Sequence, residues 1–465
     1  MKKIYLISFA LLLTISLTAQ VYKTINVSTA GTLTTLLTAI EKSTITNLTL
    51  TGKIDSRDIT CIRVEIKSLN SLDISAVSIQ EYGTNLANEL PYNSFNNIIL
   101  FNIKLPNSLT SIGEAAFKYC LGFNSITIPN SVTKIGRSAF YHCTSLKTIT
   151  LSNSLTTIEF FAFFECENLT SITIPKSVTS IETHAFTSCS GTIVVEEGNK
   201  NYSSLNGVLF NKNQTKLIKC PTSLSGNYII PNTVDSIEIN AFFHCSLLTS
   251  VSNISSLTTI GGAAFGSCTN LTSLSLPNTV TSIGASCFEF CSNLASITIP
   301  SSITSIESKT FYNCSSLASI TLPNSVSSIG ISAFYGCTSL KTIYSYNPIP
   351  PTTGSLANIA TTCTLFVPFG SKSLYASATS WKDFINIIEM TTSLQSLNLS
   401  NIKMRTENKN LIINNATIGS KIIIYSISGV KIKEQPIESD QIKIKLYQGI
   451  YLINIDNYSE KVIIR

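Results

Sequence analysis

Residues 277–322 read PNTVTSIGASCFEFCSNLASITI and then PSSITSIESKTFYNCSSLASITL. The second half repeats the first with a period of 23, and Pro277, Pro300 and Pro323 mark the beat. A repeat of this length means stacked structural units, so it takes precedence over local propensity. Counting from each proline, aliphatic residues fall at three, six, seventeen, twenty and twenty-two, Phe at eleven and Cys at fourteen. An earlier unit carries the same pattern in Val132, Ile135, Phe140, Cys143, Leu146, Ile149 and Leu151. The unit closes as Leu169 to Ile174 does, in an alternation that suits a strand with one buried face. The next proline stops that strand where no further ladder bond is needed. The run Val-Thr-Ser-Ile is expected to turn the chain back. The stretch around Ala-Phe is expected to be a turn or short helix on the opposite side.

Nine Phe/Cys cassettes fill residues 106–345, interrupted by an insertion at 190–230. Inside it, Val208 to Phe210 and Lys216 to Ile218 flank a polar run and predict a β-hairpin. Position seven holds Gly113, Gly136, Gly261, Gly284 and Gly330 in some units, and Glu159, Glu182, Glu238 and Glu307 in others. Since Glu alternates with Gly, the position is expected not to demand positive φ. At roughly 4.8 Å per coil the array is on the order of 50 Å long.

The flanks have their own character. Residues 20–105 are a diverged lead-in, with short strands at 21–27, 48–50 and 72–74. A helix over Leu33 to Lys42, with Leu33, Leu36, Leu37 and Ile40 on one face, is expected to cover the open end of the array. Residues 346–392 close the other end. There a helix after Gly370 is expected to align Leu374, Ala378, Trp381 and Ile385, with Trp381 as a capping plug. Residues 393–465 are Lys-rich and offer short strands between turn signals, which predicts a small β-sandwich.

The formal charge of +6 is not a nucleic-acid signal. Lys2 and Lys3 supply two units, and residues 401–465 supply four, from ten Lys/Arg against six Asp/Glu. Residues 4–400 hold twenty of each sign, so the body lacks a phosphate-tracking stripe. Lys2-Lys3, the apolar run from Ile4 to Leu17 and the small-residue site at Leu17-Thr18-Ala19 make residues 1–19 an expected signal peptide. That run is too short to span a bilayer, and no later stretch is long and apolar enough. The expected mature chain is exported, with no transmembrane segment.

Candidate chemistry is sparse. Nine of the thirteen cysteines share one repeat position: Cys120, Cys143, Cys166, Cys189, Cys245, Cys268, Cys291, Cys314 and Cys337. Export invites disulfides, but positions stacked in register seldom meet bridge geometry. The column is read as buried thiols. Cys61, Cys220, Cys287 and Cys363 lie off it, and no CxxC spacing marks a zinc site. His142 and His244 share a repeat position in distant coils and His184 sits elsewhere, so no convergent cluster is expected. Glu196-Glu197 with Asn199 could touch a cation, though a solvated turn suits them better. No catalytic, cofactor-binding or metal-binding residue is expected, nor any cofactor, and the chain is not read as an enzyme. The outward strand positions form two hydroxyl files: Ser125 and Thr127, Thr148 and Thr150, Ser171 and Thr173, Ser273 and Ser275, Ser296 and Thr298, Ser319 and Thr321. They are either a solubilising face or a binding face for protein or glycan. Ordering water is a third use.

The cassette of Pro, Ile, Ala-Phe, Cys and Leu-x-x-Ile-x-Ile resembles the BspA-like class of leucine-rich repeats. The inserted block from Tyr202 to Asn213 resembles the break found inside such arrays. The resemblance implies a leucine-rich-repeat solenoid that is mainly β, with one parallel sheet and short helical or turn segments. It also implies a surface adhesin for host matrix proteins, other cells or glycans. The tail resembles the C-terminal sorting domain of the type IX secretion system, through Tyr425, Gly429, Gly449, Tyr451 and Lys461. That resemblance implies a Bacteroidota-type bacterium, passage across the outer membrane by that machinery, and removal of the tail with release or surface attachment. The expected protein is a monomeric, secreted or outer-surface binding protein. An accessory glycan-binding subunit of a polysaccharide-processing complex is the other reading.

Overall fold

The computed structural model describes residues 20–390 and, in the tail, 403–407, 410–414, 421–426, 431–439, 441–455 and 458–464. The expected leader and Gly429 lie outside the described residues. Each coil contributes a strand at the end of the unit, such as Ser296–Thr298, which pairs in parallel and in register with Ser273–Ser275 one coil earlier. The expected parallel sheet is there. The Val-Thr-Ser-Ile run does more than turn the chain. It forms two-residue strands, such as Ser282–Ile283 on Thr259–Ile260, that stack into a second parallel ladder.

The third side of the coil is neither helix nor strand. Ala115, Phe117 and Tyr119 donate their N–H groups to the carbonyls of Arg137, Ala139 and Tyr141 in the next coil, at 2.8, 2.8 and 2.9 Å. The residues between them, Ala116, Lys118 and Cys120, donate back three residues within their own coil. Alternate N–H groups must therefore point in different directions, and left-handed residues achieve this. Ala115 has φ 53° and Tyr119 φ 58°, and Ser138 and His142 repeat the pair one coil later. A helix would direct every N–H back along its own turn, which leaves nothing to tie coil to coil.

Position seven has ordinary φ, as the Gly/Glu exchange predicts. What Gly supplies is close approach: a Cβ on Gly113 would lie 2.2 Å from the Leu90 carbonyl oxygen. In two of the units where Glu stands instead, its carboxylate accepts a backbone N–H from the preceding coil. Glu159 takes that of Arg137 and Glu182 that of Phe160, both at 2.9 Å.

The repeated Phe and Cys face the core. Phe265, Phe288 and Phe311 stack with centroids 5.6 Å apart and planes within 4°. All thirteen cysteines are buried free thiols. Those of the column are more than small hydrophobes. Cys291 donates to the Phe265 carbonyl at 3.0 Å and Cys314 to that of Phe288 at 3.1 Å, each one coil back. The core divides in two. One cluster runs from Ile25 to Leu209 and the other from Val208 to Ile387, so they meet in the insertion.

Both caps depart from expectation. The helix over Leu33 to Lys42 is two short helices, Leu33–Leu36 and Ala39–Thr44, because Leu37 turns extended and Thr38 starts a new capping box with Glu41. Leu33 and Leu37 are buried, but Leu36 and Ile40 face solvent. A third helix, Ser56–Glu65, capped by Asp55, was not foreseen. At the other end the helix is only Lys372–Ser377, since Ala378 is extended. Leu374 and Ile385 are therefore exposed rather than aligned with Trp381. Trp381 itself is buried against Tyr375 and Phe384, and its Nε1–H donates to the Pro351 carbonyl at 2.8 Å. The tail forms antiparallel sheets of three and four strands whose apolar faces share one core.

Candidate binding surfaces

The Ser/Thr files sit on the strand face. Ser125, Thr127, Thr148, Thr150, Ser171, Thr173, Ser273, Ser275, Ser296, Thr298, Ser319 and Thr321 are all exposed. The parallel register stacks them, Ser125 on Thr148 and Thr127 on Thr150, and Thr298 Oγ1 donates to Ser275 Oγ at 3.2 Å. At the C-terminal end the outer file becomes apolar: Thr321 pairs with Tyr344 and Tyr344 with Phe366, whose rings stack at 4.9 Å. The side chains of its Ser/Thr files are short.

The turn edge has richer chemistry. Its outward positions are the variable ones, and in the first three cassettes they include Tyr119, Tyr141, Phe160, Phe161 and Phe164. Tyr141 stacks on Phe164 at 5.0 Å and meets Tyr119 edge-on at 5.6 Å. Phe161 packs against Phe164 at 4.9 Å and Phe160 at 4.0 Å. Cations are interleaved: Lys118 Nζ lies 4.6 Å from the Tyr141 ring centre and Arg137 Cζ 5.3 Å from that of Phe160. His142 Nδ1 and Glu165 Oε2 pair at 2.8 Å. Tyr119 is exposed and the other rings are half-buried. Burial, with the Glu165 charge nearby, raises the Tyr141 phenol above its ordinary range. A second patch, Phe290, Tyr312 and Tyr335, lies further along the same edge.

The insertion interrupts this edge. Its hairpin pairs Val208–Asn211 with Lys216–Lys219, as expected, and a further strand, Tyr202–Leu205, precedes it across the turn Asn206-Gly207. Both turn residues are left-handed, and Asn-Gly between two strands is the hairpin signal that could have revealed it. Asn199 does not await a cation. It is buried, and its amide donates to the Pro175 and Val178 carbonyls at 2.9 and 3.1 Å. Glu196 accepts the Lys176 N–H.

The inserted coil has a strand on each ladder, Lys216–Lys219 on Ser236–Ile237 and Gly226–Ile229 on Leu248–Ser252. Between those strands it crosses the turn edge without the usual two left-handed residues. The turns of the cassettes before and after therefore face each other across a seam. His184 and His244 both lie at that seam, each touching a residue 56 positions away across it. Asn240 Nδ2 contacts His184 Nδ1, and Ser188 Oγ lies 3.0 Å from His244 Nδ1. Burial and the charge of Lys219 lower both imidazole pKa values below the usual range. A recess of ≈ 440 Å³ opens beside His244, lined by Glu167 and the hydroxyls of Ser188, Thr222, Ser246, Ser267 and Thr269. Among the described residues no cluster of His, Cys, Asp and Glu could hold a metal ion, and no helix is long and apolar enough to cross a membrane.

In the tail, Tyr425, Gly449, Tyr451 and Lys461 fall on neighbouring strands of the four-stranded sheet. The Tyr451 hydroxyl donates to the Tyr447 carbonyl at 3.0 Å.

Comparison with known proteins agrees with the coil. A leucine rich cell surface protein from Faecalibacterium prausnitzii A2-165 is 29% identical, with a TM-score of 0.52, covering 69% of this chain and 86% of its own. The pneumococcal vaccine antigen PcpA shares the fold at 22% identity and a TM-score of 0.51, over 75% of this chain and 80% of its own. No curated protein sequence matches. A model of the BspA type leucine rich repeat region matches six copies, over residues 88–217 and 219–341. Those residues include the Phe column, the thiol column and the stacked turns, and the chain belongs to the BspA-type leucine-rich repeat family.

Proposed function

We propose that this is a secreted or cell-surface binding protein, adhesin-like, that recognises an extracellular protein through the aromatic turn edge. Host matrix proteins and the surfaces of other cells are the intended ligands. The observation that carries the reading is the contiguous half-exposed cluster of Tyr119, Tyr141, Phe160, Phe161 and Phe164 with Lys118 and Arg137 over its rings. Large rigid side chains give contact area at little entropic cost, and binding hot spots are enriched in Tyr and Arg, whereas Ser is depleted at interface cores. The similar Faecalibacterium protein, described as a cell surface protein, supports the location. A pull-down against a matrix-protein panel with the full chain, and with Tyr141→Ala/Phe164→Ala in parallel, tests it. Capture lost in the double variant supports the ridge, and capture unchanged removes it.

The hydroxyl- and Glu-lined recess beside His244 favours one second reading, a glycan-binding accessory role. Its size and polarity suit a sugar ring. A glycan array with saturable binding, lost in His244→Ala, would carry that reading instead.

Export is proposed to use the leader at 1–19 and the tail at 393–465 as a sorting domain. The tail's own sandwich core supports a separable unit. Deleting 393–465 is expected to leave the protein in the periplasm, and undisturbed secretion would refute the assignment.

A further inference from the structure

The turn ladder has a missing rung at the seam. In the neighbouring steps the third and fifth N–H groups of a turn bond the next coil, and outside the 161–165 turn the first does too, as Asn240, Phe242 and His244 do with Gly262, Ala264 and Gly266. The turn before the seam has the same conformation, with His184 at φ 64° and Ser188 at φ 62°. Its corresponding N–H groups, on His184, Phe186 and Ser188, have no acceptor among the described residues. Two of the three are on buried residues, Phe186 at 3% and Ser188 at 2% exposed, and His184 is half-buried. Buried N–H groups are nearly always paired, and an unpaired one calls for a partner.

Across the seam lies a buried cation. Lys219 is 4% exposed. Its ammonium donates to the carbonyls of Asn240 at 3.1 Å and Phe243 at 3.4 Å. Phe243 occupies the place that in regular steps accepts from the preceding turn, so Lys219 replaces a missing N–H donor. No carboxylate pairs with it among the described residues; Glu238 pairs with Lys216 at 3.3 Å, and Glu182 accepts the Phe160 N–H. The seam thus lacks acceptors for the turn on one side and a paired carboxylate for Lys219 on the other, the two Glu being engaged by Lys216 and the Phe160 N–H. A recess of ≈ 220 Å³ lies between, lined by His184, Phe186, Thr187 and Lys219, with Thr183 at its exposed rim and with Glu182, Glu238 and Lys216 also on its wall.

We propose that this recess binds a small oxyanion, a sulfate, phosphate or carboxylate group, held by the free N–H groups of His184 and Phe186 and by Lys219. Oriented backbone N–H groups in left-handed turns form anion-binding concavities, and charge-assisted bonds to ammonium are the stronger kind. The site is independent of the aromatic ridge, although His184 touches both, 5.0 Å from the Phe160 ring.

Calorimetric titration of the full chain with sodium sulfate, sodium phosphate and sodium acetate, at ionic strength held constant with chloride, tests the site and ranks the three anions. Saturable one-to-one binding of at least one is expected, with amide shifts at His184 or Phe186. Lys219→Met should weaken it tenfold or more. Should that variant fail to fold, Thr183→Glu places a carboxylate at the exposed rim and should compete with the ion to the same extent. No saturable binding, or binding that survives Thr183→Glu unchanged, overturns the proposal. Loss of partner capture by ridge variants with ion binding intact would keep the two surfaces distinct.

Discussion

At the residue scale the thiol column is the sharpest case. Composition made Cys a small core hydrophobe, and burial agrees. What no sequence pattern showed is that each column thiol also reaches a backbone carbonyl one coil back. Burial raises the thiol pKa, to about 12 for Cys120 and about 11 for Cys245, from an ordinary 9.0. The folded chain should therefore be inert to thiol reagents at pH 8 and label fully only in denaturant. Fast native labelling would contradict the burial. The same shift has a consequence for stability. A thiol that stays protonated in the fold but ionises near 9.0 when unfolded contributes its full stabilisation below that pH. The contribution falls as pH rises toward 11–12. Urea midpoints should accordingly drop between pH 9 and 11, by an amount that Cys→Ala variants in the column reduce.

At the element scale, the stacked Phe rings and the anchored insertion carry the load. Phe288→Ala opens a hole between two parallel rings where neither coil can collapse, so a loss of about 3–5 kcal/mol in equilibrium unfolding is expected. Asn199 ties the insertion to the coil beneath it: its amide bonds two carbonyls, and its Oδ1 accepts the N–H groups of Asn201 and Tyr202 at 2.8 and 2.9 Å. Asn199→Ala should cost about 3 kcal/mol and raise protease cleavage between 200 and 215. The repeat was legible because period, burial and strand alternation agree in nine in-phase copies. The turn ladder was not. Its left-handed positions hold Ala, Ser, Phe, Lys, His and Asn by turns, so no residue type announces them, and only the next coil's carbonyls impose that geometry. The cap helices were misplaced for a related reason. Apolar spacing at 33–42 suggested one face, but the Thr38–Glu41 capping box restarts the helix and turns Leu36 and Ile40 outward.

At the scale of the whole molecule, the chain is a three-sided ladder whose repeated residues are consumed in holding coil to coil. The strand face keeps its hydroxyl files, the turn edge gathers the large variable side chains, and the insertion splits both core and edge. Sequence found the first surface and pointed to the variable turns only in general. The clustering of Tyr119, Tyr141 and Phe164 follows from stacking that spacing alone does not reveal. Of the two surfaces, the turn edge is the one assigned to recognition. The most direct test compares three full-length proteins for binding to surface-immobilised matrix proteins or partner cells: the parent, Tyr141→Ala/Phe164→Ala, and Thr150→Lys/Thr173→Lys. The account predicts that the aromatic pair of changes lowers affinity tenfold or more while the strand-face pair leaves it within a factor of about two. The opposite pattern, binding lost with the lysines and kept with the alanines, would contradict it.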